Sequence, residues 1–293
     1  MDFESKIKTL YNKLEKCSLC PRKCGAKRKE GHSGFCRSAD KILIASANLH
    51  FGEEPPISGD RGSGTIFFSN CVLSCVFCQN YPISQMGNGR EVSLKELIEA
   101  MLNLQKKGAH NINLVTPTHY AAHIAKALYE AKNSGLKIPI VYNCGGYEAV
   151  ETLSLLEGLI DIYLPDMKYA DNNLALKYSS VADYVENNRA ALKEMKRQTG
   201  NLKINSDNIA SRGLIIRHLV LPNNLENTKR VLDFIAKEIS TGAYISLMAQ
   251  YHKAYKADNF KELSAPLDKA QYKRAVEYLK FLNLDNGWIQ EQD

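Results

Sequence analysis

From Gly64 to Leu282 the sequence alternates two kinds of segment: short apolar runs bounded by Gly, Pro, Asn or Asp, and longer stretches whose apolar residues recur at helical spacing. That alternation constrains the fold more than any other feature. Strands that alternate with helices build a parallel sheet through right-handed crossovers. The predicted strands cover 65–69, 111–115, 138–142, 160–164, 214–220 and 244–248. Between them, Ser93-Leu94-Lys95-Glu96 is a capping box that opens a helix, and Gly108 stops it. Further helices are predicted over 119–133, 148–157, 228–239 and 268–282, with two shorter ones filling 172–199. Such a series suffices for most of a barrel.

In parallel α/β architectures ligands sit at the carboxyl ends of the strands. The unusual polar residues fall there: Asn113 and Thr116, Asn143 and Cys144, Asp166 and Lys168, Arg217 and His218, and His252. The first of these strand ends runs into Cys71-Val72-Leu73-Ser74-Cys75-Val76-Phe77-Cys78. Thiolates are soft ligands that suit zinc or iron–sulfur clusters. A closed site takes four protein ligands. Cys71, Cys75 and Cys78 supply three from one loop, which leaves one metal corner open for a substrate or cofactor.

Ahead of the alternating region, Phe3, Ile7, Leu10, Tyr11 and Leu14 predict an amphipathic helix over 2–16. It leads into Cys17, Cys20, Cys24 and Cys36, a complete four-thiol set suited to zinc or an auxiliary cluster. Residues 41–48 read as a short strand. The segment from His50 to Gly64, with Glu53 and Glu54, reads as a polar loop closed by glycine turns, either solvated or facing the site. The domain organisation expected is an N-terminal helix with a Cys-rich metal-binding extension at 1–62, and a core at 63–293.

Composition excludes other classes. No apolar run approaches the ~20 residues of a membrane helix, and the charged N-terminus lacks a signal-peptide core, so a cytoplasmic location without membrane contact is expected. Eight cysteines in a reducing compartment argue for metal or catalytic chemistry over disulfides. The net charge of +6 is spread along the chain apart from Arg22, Lys23, Lys27, Arg28 and Lys29, and makes no case for nucleic acid by itself.

The Cys-x3-Cys-x2-Cys segment after a first strand, with aromatic Phe77 before its third cysteine, resembles the radical S-adenosylmethionine superfamily. Longer stretches are similar to its pyruvate formate-lyase activating enzyme-related subfamily. These are Cys17-x2-Cys20-Pro21-Arg22-x-Cys24, His50-x-Gly-Glu-Glu-Pro, Gly64-Thr65-Ile66-Phe67-Phe68, the run from Gly108 to His119, Tyr163 to Tyr169, and Arg217 to Pro222. The resemblance implies a partial (β/α)6 TIM-like barrel carrying a small Cys-rich extension. It implies a [4Fe-4S] cluster on Cys71, Cys75 and Cys78, and S-adenosylmethionine chelated at the open iron. Reductive cleavage would give a 5′-deoxyadenosyl radical that takes hydrogen from a substrate. Phe77 would pack near the adenine. Backbone carbonyls, Asn113 or Thr116 would stand in for the glutamate with which the second strand usually ends in this superfamily. Lys168 would pair the cofactor carboxylate with Asp166 orienting it, and Asn143, Arg217 and His252 would complete the cofactor contacts. An electron donor such as flavodoxin or ferredoxin is implied. The substrate expected is a protein, including a glycyl-radical partner enzyme, with a small molecule or short peptide as the alternative. A further reading from another class is a non-catalytic iron–sulfur or zinc protein that carries electrons or binds RNA through residues 22–29.

Overall fold

The computed structural model describes residues 2–291. Helix α1 (Phe3–Asn12) opens where Asp2 accepts from the Ser5 N–H. It stops short of residue 16, because Leu14 and Ser18 bond back to Tyr11 and Lys13 and turn the chain into the cysteine hairpin. Strand β1 (Ile42–His50), the single turn α2 (Pro55–Ser58) and β2 (Ser63–Phe68) follow, then α3 (Tyr81–Ser84) and β3 (Arg90–Val92). The alternation proper continues as α4 (Leu94–Lys106), β4 (Ile112–Val115), α5 (Ala121–Asn133), β5 (Ile140–Cys144), α6 (Val150–Leu156) and β6 (Ile162–Pro165). Two helices, α7 (Asn172–Ser179) and α8 (Tyr184–Thr199), precede a two-residue strand β7 (Lys203–Ile204) and the long β8 (Ala210–Leu219). The chain ends with α9 (Leu225–Phe234), β9 (Tyr244–Met248), α10 (Lys269–Phe281) and β10 (Gly287–Ile289). Helix α9 starts earlier than the sequence predicts and changes pitch to a π turn over Ile235–Ile239.

The sheet runs β10-β9-β8-β6-β5-β4-β2-β1-β3 and is parallel from β10 through β2. All six predicted strands lie in it, in the predicted order. It ends in the antiparallel pair β1 and β3 on one side and does not close. This is a partial TIM-like barrel with an open seam.

Alternate residues of a strand face opposite sides, and the two faces carry different cores. The outer face (Ile66, Ile112, Leu114, Ile140, Tyr142, Tyr163, Ile216, Leu247) packs on the helices in one large apolar cluster. The inner face forms a separate small cluster at the amino ends of the strands: Val141, Ile162, Leu164 and Ile215 with Ile57. Ile57 is there because β1 is antiparallel to β2 with His50 opposite Ser63, which delivers the chain to the amino end of the sheet. Pro55 and Pro56 begin α2 where no N–H is needed. The Asn111 amide donates to the Ile57 carbonyl at 2.8 Å. The segment after β1 thus plugs the barrel from below.

Candidate active site

The cluster loop leaves β2 through Asn70, whose φ of 72° turns the chain sharply. Its backbone is pinned from several sides. Ser74 N–H donates to Ser179 O (3.1 Å) and Val76 N–H to Tyr178 O (2.8 Å), both at the end of α7, while Lys256 N–H donates to Val76 O (2.8 Å). Arg22 reaches across from the N-terminal module and donates through Nε to Val72 O at 2.6 Å. A loop held this firmly fixes where its three thiols point. Cys71, Cys75 and Cys78 all line one cavity of about 360 Å³, together with Phe77, Thr116, Asn143, Asp166, Lys168 and Arg217. The site residues named from the sequence therefore converge, with three exceptions, Asn113, His218 and His252. Asn113 is fully buried one layer below the cavity wall. His252 is exposed and does not line the cavity; Met248 and Gln250 hold that side. The chain turns after β9, with Tyr251 directed inward and buried against Phe77, and this leaves the next side chain outward.

Each thiol touches a polar group: Cys75 Sγ lies 3.0 Å from Ser179 Oγ, Cys78 Sγ lies 3.1 Å from Ser84 Oγ, and Cys71 Sγ accepts from the Leu73 N–H at 3.3 Å. Among the described residues no three Cys, His, Asp or Glu side chains stand in a ready metal-holding arrangement. The donor set nonetheless fits an iron–sulfur cluster with one free corner: three thiols on one loop, facing an open cavity, with a cation beside them. That cation is Lys168, whose Nζ is 2.5 Å from Asp166 Oδ2. Burial alone would depress its pKa, but Asp166 and Cys75 outweigh burial and hold it above the usual lysine range. Burial pushes the Cys71 and Cys75 thiols up, Cys75 to about 11 even with Lys168 opposing, so these two need a metal to ionise near neutral pH.

The strand ends that carry Asp166 and Gly145 are clamped from behind by α8. Tyr184 OH donates to Gly145 O (2.9 Å) and reaches Asp166 O at 3.0 Å, and Asn188 Nδ2 donates to Gly146 O and Asp166 O, each at 3.0 Å. His218 points away from the cavity, between Met167 O (2.6 Å) and Thr228 Oγ1 (3.0 Å), and burial lowers its pKa to about 4. It is a packing residue.

Two acidic features were weakly signalled by sequence. Glu53, at the plug, lines the cavity, and Glu54 is buried behind it. Glu148 is enclosed by Thr118 Oγ1 (2.5 Å) and Tyr142 OH (3.1 Å), and burial raises its carboxyl to about 7. The Gly-Gly-Tyr-Glu order after β5 gave no hint of that enclosure, which comes from Thr118 on the neighbouring loop.

In the N-terminal module Cys17, Cys20 and Cys36 are buried and Cys24 is exposed. A tight hairpin joins them, with Cys17 N–H donating to Ala26 O and Gly25 N–H to Cys17 O, both at 3.0 Å. A Cβ on Gly34 would fall 2.3 Å from Cys24 Sγ, so the loop before Cys36 lies directly against that thiol. Burial pushes Cys20 up to about 12, with Cys36 and Cys17 adding to it. Two residues of the basic run that precedes Cys36 are spent inside the fold, while Lys23, Lys27 and Lys29 are exposed. Arg28 is buried and donates to His119 O and Ala39 O, and Arg22 holds the cluster loop and stacks on Phe35. These two arginines are not presented to RNA.

Comparison with known proteins agrees with this geometry. The family model of the radical SAM superfamily matches residues 65–235. An uncharacterized protein of Methanocaldococcus jannaschii is 32% identical over 291 residues, covering 96% of this chain and 79% of that protein. Among solved structures, Streptococcus suis SuiB bound to S-adenosylmethionine superposes with a TM-score of 0.55 at 15% identity, over 76% of this chain and 48% of that one. The FeFe-hydrogenase maturase HydG of Carboxydothermus hydrogenoformans superposes with a TM-score of 0.51 at 14% identity, over 76% of this chain and 52% of that one. The chain spans about half the length of these two solved proteins, and the likeness to them is one of fold. With a matched domain that starts on β2, contains the three-thiol loop and ends at the close of α9, the chain belongs to the radical SAM superfamily.

Proposed function

We propose that this protein cleaves S-adenosylmethionine reductively at a [4Fe-4S] cluster on Cys71, Cys75 and Cys78, and uses the product to abstract hydrogen from a substrate held in the barrel lumen. The observation that carries the reading is the convergence of those three thiols with the Asp166–Lys168 pair on one cavity that is closed from below. When bound, cluster and cofactor supply a carbon-centred radical. The chain's own residues do the rest. Lys168, kept charged by Asp166, is placed to meet a carboxylate in the cavity. Thr116 and Asn143 offer hydrogen bonds on the adjoining strand ends, and Phe77 and Leu73 supply apolar wall. The lumen walls exclude water from the reacting carbon.

The plugged lumen favours a small molecule or a single side chain of a peptide over a glycyl-radical partner enzyme, since a glycine has no side chain to reach the cavity's lower end. Of the related structures, one is SuiB bound to its precursor peptide SuiA, which fits the peptide branch. The reductant is a low-potential carrier of the flavodoxin or ferredoxin kind. The N-terminal thiols hold zinc or a second cluster and, through Arg22, brace the catalytic loop. The test is to reconstitute the protein with iron and sulfide, reduce it, add S-adenosylmethionine, and measure 5′-deoxyadenosine. If none forms while iron is bound at Cys71, Cys75 and Cys78, the reading fails.

A further inference from the structure

The lower end of the cavity is charged, and part of it comes from outside the parallel strands. Arg217 Nε stands 3.1 Å from Glu54 Oε1 and 3.9 Å from Asp166 Oδ1, and its Nη1 stands 3.6 Å from Glu53 Oε2. Lys168 completes the set through Asp166 at 2.5 Å. Three carboxylates thus face two cations. Glu54 and Asp166 each have a close counter-ion. Glu53 is held more loosely, with Asn143 Nδ2 at 3.5 Å, the Arg217 nitrogen at 3.6 Å and Asn113 as a further polar neighbour. Glu53 is the acidic residue that lines the cavity at this level, and its side chain is only 7% exposed. Buried polar atoms of this region without well-formed hydrogen bonds include both carboxylate oxygens of Glu54, Arg217 Nε and both amide atoms of Asn113.

An incomplete polar layer under an open cavity selects its ligand by charge. An anion would meet a guanidinium already faced by three carboxylates. An apolar group would bury Glu53 with no better partner, which is unfavourable for a carboxylate. A cation with donor hydrogens balances the charge and meets both Glu53 and the Asn143 carbonyl oxygen.

We propose that Glu53 recognises a positively charged nitrogen of the substrate, a primary ammonium, at the cavity floor, with Asn143 as its second contact. This rests on the lumen being the substrate site. It adds that the substrate enters ammonium first, so that the carbon yielding hydrogen lies between that group and the thiols. A free alkylamine and a lysine side chain share this chemistry.

The test is a calorimetric titration of the cluster-loaded, unreduced protein with S-adenosylmethionine present. It needs no turnover, so it stands apart from the assay for 5′-deoxyadenosine. The probes are n-butylammonium, n-butanol and n-butanoate, equal in length and different in charge. The expected result is that the ammonium binds at least about tenfold more tightly than the alcohol or the carboxylate, and that Glu53→Gln abolishes this preference. A preference for butanoate, equal binding of the three, no ammonium binding, or a preference that survives in folded Glu53→Gln would overturn the proposal. Comparing n-butylammonium with Nα-acetyl-lysine amide then separates the two sources: tighter binding of the first indicates a free amine, and of the second a peptide.

Discussion

Arg217 Nε lies 3.1 Å from Glu54 Oε1, which joins β8 to the segment that plugs the barrel and seals the Glu54 carboxylate almost wholly from water. A buried pair of this kind gives little net stability, yet losing one partner strands the other charge. Arg217→Ala is therefore expected to cost about 3 kcal/mol in urea unfolding, because it leaves Glu54 buried without its cation. The paired replacement Glu54→Leu with Arg217→Met should recover part of that, the remainder being the guanidinium that Glu53 and Asp166 also lose. A double variant as unstable as the sum of both singles would show that the pair is not the reason for the cost.

The three-thiol loop makes a sharper prediction. Cys75→Ala should lose 5′-deoxyadenosine formation entirely, whereas Cys20→Ala, in a site of its own, should keep part of it. Iron and zinc analysis of the same preparations tells which metal each thiol set holds. Cofactor cleavage by Cys75→Ala would sink the cluster assignment.

Gly146 has φ of +75°, and a Cβ there would fall 2.0 Å from Asp166 O and 2.3 Å from Asn188 Nδ2. The α8 clamp leaves neither neighbour room to give. Gly146→Ala is expected to destabilise the protein by about 3 kcal/mol through backbone strain and displacement. Because the shifted carbonyl belongs to Asp166, the affinity for S-adenosylmethionine should also fall. Thermal unfolding and equilibrium dialysis check the two effects separately.

Glu148 ties stability to pH. Burial raises its folded-state pKa from 4.5 to about 7. For a carboxyl the raised value means that the folded state favours the proton. Its contribution is fully present below about pH 4.5 and is lost as pH rises through 7, a change of roughly 3 kcal/mol. Glu148→Gln removes the titration. The stability of the native sequence relative to this variant should therefore fall between pH 5 and 8. A constant difference over that range would show that Glu148 does not titrate there.

The strands and helices around the barrel were legible because each has its own periodicity, and the loop at Cys71 because cysteine spacing carries its chemistry. The three-residue strands β3 and β10 were not, since so short a run has no period to detect. His252 was misleading for a related reason: its position after β9 is clear in sequence, but the turn that sends Tyr251 inward and the next residue outward is tertiary. Glu53 and Glu54 read equally well as a solvated loop. They are buried because Arg217, far along the chain, draws them under the sheet, and no local pattern records a partner at that distance. The antiparallel course of β1, which puts them there, was equally hidden.

A sheet that stops short of closure leaves two free edges, and each invites pairing with another chain. Here the outermost strand on each side is only three residues long, and β3 covers only Ile42–Ile44 of β1. On β3, Arg90 and Glu91 are exposed and engaged with Glu96 and Lys41. On β10, Gly287 takes φ of 154° with the Ile245 carbonyl 2.0 Å from where a Cβ would sit, so only glycine is accommodated at the point where that edge begins. The two outermost strands are thus too short and, on one side, too charged to template a neighbour, so the edge left for a partner is the stretch of β1 that β3 does not cover, Ser46 to His50.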